Sequence, residues 1–265
     1  MPGYLMEHPL EAERLELKTR RKRILEELRY VPIRPGNRVL DVGCGTGAVT
    51  RILAQRAAPG EVVGLDLSGE RLARAEAIAR KARLRNVRFL RGDARTIDLG
   101  PRKFDLVYSR CLFQYLPGRP GMDTLMAMKR AARRGARVCV ADVDGNTLYR
   151  YPLERRWAET LEAFLREVEK RGFDPFVGRK LYGMFHQAGF QDIRVNILPY
   201  YLIAGGADPV TLRVWEMKTE ILANTLRDIF SSRRRVNKLA ERFLADFKRQ
   251  DMLLYNFLFL VHGRA

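Results

Sequence analysis

Val39-Leu40-Asp41-Val42-Gly43-Cys44-Gly45-Thr46-Gly47 decides how this chain reads. Val39 to Val42 is apolar and rich in β-branched residues, with no polar alternation, which describes a strand buried in a parallel sheet. Glycines at alternate positions then end it in a turn. Ala48 to Ala57 follows with Val49, Ile52, Leu53 and Arg56 at helical spacing. Strand, glycine turn and helix open a βαβ unit of the nucleotide-binding kind. Glycine accepts φ > 0 and leaves bare main chain for a ligand to lie against. The helix behind it aims unpaired N–H groups and a positive dipole end at the same place.

The spacing D-x-G-x-G-x-G is not the dinucleotide fingerprint G-x-G-x-x-G. A second strand, Glu61 to Asp66, ends in an acid about 20 residues further on, where a ribose-binding carboxylate is expected. Two adjacent hydroxyls can donate to its two oxygens, so the pattern points to an adenosine-like group. Asn86 to Leu90 reads as a third strand, followed by Asp93, an acid able to accept from an exocyclic adenine amine. Phe104 to Ser109 and Gly135 to Asp142 read as the fourth and fifth strands.

In this order VLDVGCGTG, VVGLDLS, RFLRGDA, FDLVYSRCLFQYL and GARVCVADVDG resemble a class I S-adenosylmethionine-dependent methyltransferase. The likeness covers roughly residues 20 to 145 and is nearest the small-molecule branch that includes quinone-pathway enzymes. It implies an α/β fold: a doubly wound, Rossmann-like sheet of seven strands, the last antiparallel, with added helical lid segments. It also implies S-adenosyl-L-methionine as cofactor and S-adenosyl-L-homocysteine as product. Gly43, Cys44, Gly45 and Gly47 would pass under the methionine part. Asp66 would hold the ribose, Leu67 would flank the adenine, and Asp93 with Ala94 would meet its edge. Ser109 and Arg110 would lie near the sulfonium. Asp41 either touches the cofactor or anchors the glycine loop. Structural readings compete: Asp66 with Ser68 suits a helix N-cap, Asp93 suits a turn, and Cys44 suits the bend.

Residues 1–34 read as an N-terminal helical lid segment, with Tyr4, His8 and Arg14 as candidate lid residues. Residues 35–265 read as the methyltransferase domain, Pro32 and Pro35 marking the junction. Helical spacing over 152–171 and 179–188 and stop signals at Gly172 and Gly189 precede a sixth strand at 192–198. A seventh lies at 254–262. About fifty residues between those two strands exceed any hairpin loop. They predict helices near 209–230 and 235–250, so insertions at about 146–178 and 199–252 are expected to form a substrate lid.

No catalytic residue is fixed by pattern. An in-line displacement on a sulfonium methyl gains most from alignment and exclusion of water, and a base is needed only if the acceptor must lose a proton. Tyr115, Asp142 and His8 are the weak catalytic candidates; Asp144, Tyr149, Tyr151 and His186 are further acceptor-side residues. Trp157 and Phe164 would join Tyr149 and Tyr151 in an apolar pocket or in helix core.

The 265 residues carry a net charge of +18, and 39 of the 49 cations are arginine. Such charge admits an anionic substrate, a membrane surface or nucleic acid. The arginines are spread along the chain, with clusters at 20–23, 133–134 and 233–235 that suit solvated helix faces. An apolar or anionic small-molecule acceptor is therefore the expectation. The alternatives are an RNA methyltransferase using the basic surface and a non-catalytic S-adenosylmethionine-binding protein. No apolar run reaches bilayer length and no apolar leader core precedes Glu7, so a cytoplasmic protein is expected. Cys44, Cys111 and Cys139 lack metal spacing, and no metal is expected.

Overall fold

In the computed structural model the opening run becomes β1 (Val39–Val42), joined in parallel by β2 (Val62–Asp66), β3 (Val87–Arg91), β4 (Phe104–Arg110) and β5 (Ala132–Tyr151). Two further strands, β6 (Gln191–Ala204) and β7 (Leu253–Arg264), pair antiparallel, and β7 runs antiparallel to β5. The order across the sheet is β3-β2-β1-β4-β5-β7-β6, so the last strand in sequence is the reversed one. The structure describes residues 4–96, 99, 104–230 and 232–265, and side chains other than those of 146–148, 224–230 and 233. Residues 1–3 of the expected lid segment and the Arg233 side chain of the last basic cluster lie outside the described residues.

Helices cover both faces. The first two, α1 (Glu11–Lys18) and α2 (Arg21–Glu27), precede β1; α3 (Ala48–Ala57), α4 (Gly69–Lys81) and α5 (Arg119–Ala131) follow β1, β2 and β4. Successive strand residues point to opposite faces. Val39 and Tyr108 accordingly pack with Ile24 and Leu53, whereas Leu40 and Val107 pack with Leu125 and Phe185 on the other side. Ser68 starts α4 by accepting the Arg71 N–H at 3.3 Å, and Arg80 and Lys81 end it where cations complement the dipole.

The remaining helices are α6 (Arg155–Lys170), α7 (Leu181–Gln187), α8 (Pro209–Phe230) and α9 (Arg233–Asp246). The expected helical insertions begin differently: residues 146–151 prolong β5 and residues 199–204 prolong β6. For the β6 extension the cause is apolar content. Tyr200, Tyr201 and Ile203, with Leu254 beside them on β7, bury against Trp215 and Phe247 in the core under α8 and α9, so this strand end has a face to cover. A buried ion pair locks the helices to the strand: Arg150 meets Asp246 at 2.5 Å, and the Trp157 indole donates to the same Asp246 oxygen at 3.1 Å.

Candidate functional site

The sheet order reverses between β1 and β4, and the carboxyl ends of these strands open on a cavity of about 510 Å³. Crevices outside such strand ends are where open α/β sheets bind ligands. Its floor is the glycine turn. The N–H groups of Gly43 and Cys44 donate to Leu65 O at 2.8 and 3.0 Å, pinning the turn to β2. The Gly45 N–H donates to the Asp66 carboxylate at 2.8 Å. Gly43 and Gly45 hold φ of 75° and 54°, a backbone region that side-chain-bearing residues rarely adopt, so the cradle keeps bare main chain.

Asp41, Gly43, Cys44, Gly45, Asp66, Leu67, Asp93, Ala94 and Arg110 all line this cavity. Asp41 does so while anchoring α3: its carboxylate accepts from the Thr50 hydroxyl at 2.6 Å. Burial, with the Asp66 charge adding to it, pushes the Asp41 carboxyl up to about 7. Asp66 also accepts the Ser68 N–H at 2.9 Å and pairs with Arg71 at 3.3 Å. Asp93 forms a turn, accepting the Arg95 N–H at 2.9 Å; its side-chain hydrogen bond with the Arg95 guanidinium holds its carboxyl below the usual range. Arg110 is gripped by Glu27 at 2.7 and 2.8 Å, beneath the Tyr200 ring.

Two expected cofactor residues stand outside the lining. Gly47 has φ of 71° and starts α3, and a Cβ there would meet the Phe89 ring at 2.8 Å. It therefore serves helix–sheet packing. Ser109 is fully buried and donates to Val42 O at 2.9 Å, stitching β4 to β1.

Of the catalytic candidates, Tyr115 alone lines the cavity. Its ring packs on Tyr4 and Phe173, and burial pushes its phenol far above the usual value, so it is no base near neutrality. Asp142 is buried under the loop after β4, accepting the N–H groups of Val143 and Gln114 at 2.8 and 3.2 Å. Burial pushes it up to about 7. His8 accepts the Leu10 N–H at 3.1 Å and stays outside the lining. Asp144 pairs with Arg179 at 2.6 Å, Tyr149 packs on Tyr255, Tyr151 is exposed, and His186 stacks on Tyr182 at the surface.

The N-terminal segment reaches the turn. Glu16 of α1 accepts from the Thr46 hydroxyl and from Arg51, both at 2.6 Å, and Tyr4, Leu15 and Lys18 line the cavity. Lys18, Arg71 and Arg171 are lining residues that the sequence pattern did not single out. Arg71 lies one turn into the helix after Asp66, a position that pattern could have supplied. Lys18 and Arg171 arrive from distant segments and carry no local signal. The Nη1 of Arg171 is buried without a hydrogen-bond partner.

Two smaller cavities adjoin. One of about 30 Å³ shares Lys18, Cys111 and Tyr115 with the large one. Another of about 90 Å³ lies among α6, α8 and α9 and contains Trp157 and Phe164. Among the described residues no cluster of three or more His, Cys, Asp or Glu side chains is arranged to hold a metal. No described helix is long and apolar enough to cross a membrane.

The profile of a methyltransferase domain matches residues 33–189. Over 90 residues the chain is 43% identical to the trans-aconitate 2-methyltransferase of Deinococcus radiodurans, covering 34% of this chain and 32% of that one. It is 29% identical over 188 residues to the demethylmenaquinone methyltransferase of a Geobacillus species, covering 64% of this chain and 78% of that one. Among solved structures it resembles the Haemonchus contortus phosphoethanolamine N-methyltransferase 2 bound to S-adenosyl-L-methionine. There the TM-score is 0.58 at 20% identity, with 92% of this chain and 52% of that one covered. The chain thus spans between a third and about half of the length of the first relatives it matches.

Proposed function

The chain belongs to the methyltransferase domain family, and on that premise we propose that it transfers a methyl group from S-adenosyl-L-methionine to a small-molecule acceptor. The observation that carries this reading is the glycine cradle closed by Asp66 at the end of β2. Asp66, Leu67 and Ala94 line the same cavity, and in this reading Asp66 would hold the ribose while Leu67 and Ala94 would flank the adenine. The unpartnered Arg171 Nη1 suits a carboxylate at the opposite end. An amino-acid-bearing nucleoside fits that sequence of surfaces. The two curated relatives described above are named for small-molecule acceptors, which supports the same class here.

When bound, the sulfonium supplies an electrophilic methyl group without a metal. The protein's share is to hold the donor against the turn, align the acceptor and exclude water. Residues 4–34 with α6, α8 and α9 form the lid in this reading. Its location is the cytoplasm. Part of the basic side-chain set is engaged within the fold. Arg20 pairs with Asp208, Arg133 pairs with Asp105, and Arg23 lies over the Tyr200 and Tyr201 rings.

Titration calorimetry with S-adenosyl-L-methionine, S-adenosyl-L-homocysteine and NAD tests the reading. Dissociation constants on the order of micromolar are expected for the first two, within the usual range for enzyme ligands. Tight NAD binding with none for S-adenosyl-L-homocysteine would overturn it.

A further inference from the structure

Cations accumulate at the end of the sheet opposite the crevice. β1, β2 and β3 begin there, and the loop before β1 and the carboxyl ends of α3 and α4 reach the same place. Hydrogen bonds tie these segments together. The Gly36 N–H donates to Ala57 O at 2.7 Å, and the Asn86 amide donates to Ala54 O and Gly60 O, both at 2.8 Å. On these segments stand Arg34, Arg56, Arg80, Lys81, Arg83 and Arg85, all exposed and, among the described residues, all without an ion pair. Glu61, just before β2, is already shared by Arg38 at 2.9 Å and Arg88 at 2.7 Å.

Helix dipoles explain only part of this. Arg56, Arg80 and Lys81 lie in last helical turns, where a cation complements the dipole. Arg34, Arg83 and Arg85 lie in loops, and no such role covers them. Arg83 moreover follows α4 with φ of 55°, in the left-handed region where glycine is the low-cost residue. Like charges held together repel, and a polyanion relieves that repulsion. The kind of polyanion follows from what the patch lacks. No large apolar side chain is exposed in residues 34–38, 54–61 or 80–91. The patch therefore offers neither the anchors of a membrane-surface site nor the apolar centre of a protein interface. Arginine forks match phosphates. Loops and helix carboxyl ends suit a backbone, whereas base edges in DNA are read by a helix or ribbon in the major groove.

We propose that this corner binds the phosphate backbone of duplex RNA without regard to sequence. Shape and phosphate contacts are how duplex RNA is commonly held. The RNA is a docking partner and not the methyl acceptor, because the crevice opens at the other ends of the same strands. Docking here does not depend on the methyltransferase reading, and cofactor affinity reports on the crevice alone.

The test is fluorescence anisotropy of the full chain with labelled RNA duplexes of about 20 base pairs, a little longer than one double-strand-binding module spans. Affinity is expected to fall about a thousandfold between roughly 50 and 200 mM salt, as about six phosphate contacts require. Two duplexes of unrelated sequence should bind within about twofold of each other. Arg83→Gly combined with Arg85→Gln is expected to weaken binding about fivefold and to lower the salt slope by about two. Arg83→Gly removes a charge while relieving the left-handed backbone, so the thermal midpoint should not fall, and S-adenosyl-L-homocysteine affinity should stay within about twofold. Arg155→Gln combined with Arg166→Gln removes the same charge from exposed sites on α6 and should leave RNA affinity unchanged. Absence of RNA binding at the low end of that salt range, undiminished binding in the Arg83 and Arg85 double variant, or an equal loss in the α6 variant overturns the proposal. Tighter binding of a DNA duplex, of phosphatidylserine vesicles or of polyglutamate overturns it as well. Failure to bind S-adenosyl-L-homocysteine would instead strike the cofactor reading.

Discussion

The two ends of the sheet build binding space by different means. On the β1–β3 side the crevice floor is main chain: consecutive N–H groups of Gly43, Cys44 and Gly45 are spent on Leu65 O and Asp66, and the ligand surface is what remains. On the β5–β7 side the space is made by side chains from α1, α6, α8 and α9, held by one buried ion pair between Arg150 and Asp246. Backbone-built sites need particular residues at fixed local spacing. Side-chain-built sites need only suitable surfaces brought together from afar, so their sequence can drift. The comparison predicts that damage to one end should leave the other largely intact.

The largest effect is expected from Asp246→Ala. It strands the buried Arg150 guanidinium and removes the acceptor for the Trp157 indole. Loss of one partner of a buried pair costs about 3–5 kcal/mol, read as a lower midpoint in denaturant unfolding. If the two ends are independent, S-adenosyl-L-homocysteine affinity changes less than threefold. A parallel collapse of that affinity would break the comparison.

Gly47→Val is the reciprocal experiment at the other end. The left-handed φ of 71° and a Cβ 2.8 Å from the Phe89 ring together destabilise by about 3 kcal/mol. Here cofactor affinity should fall with stability, although Gly47 does not line the cavity, because α3 and the turn shift together. Asp66→Ala is milder. A roughly tenfold loss of S-adenosyl-L-homocysteine affinity is expected, about 1.4 kcal/mol, with the fold retained. Unchanged affinity in calorimetry would remove Asp66 from the site.

The same contrast explains what the sequence could disclose. Buried strands rich in Val and Leu announce β1, β2 and β4, β1 running into a glycine turn and β2 ending in an acid, and the family profile extends over them. That Asp41, Gly43, Gly45 and Asp66 line one cavity follows from local spacing. Ser109 lies outside the lining, its hydroxyl donating to Val42 O, a contact that no motif specifies. Residues 146–151 and 199–204 read as lid because their strand pairing partners lie far along the chain in β7. The lining of the cavities among α1, α6, α8 and α9 had no such signal, because it is assembled from helices far apart in the chain.

The smallest expected effect concerns Asp41, and it sharpens the contrast at the level of one charge. In the unfolded chain its carboxyl titrates near the ordinary aspartate value of 3.8, whereas burial holds it at about 7 in the fold. The folded state therefore keeps a proton that the unfolded state has lost, and between those values stability falls as pH rises. The ligand-free protein should lose thermal midpoint across that window, and Asp41→Asn should flatten the loss. Ligand binding should respond in the opposite sense. Above about pH 7 the carboxylate facing the cavity is ionised, which favours a sulfonium cation over the neutral thioether product. The preference for S-adenosyl-L-methionine over S-adenosyl-L-homocysteine should then grow by about threefold from pH 6 to pH 8, the size of a partly screened charge interaction. A preference that is flat with pH in the wild type would mean that Asp41 serves only Thr50 and the helix behind the turn. In that case Asp41 would be scaffold, and recognition at this end would rest on main chain and on Asp66.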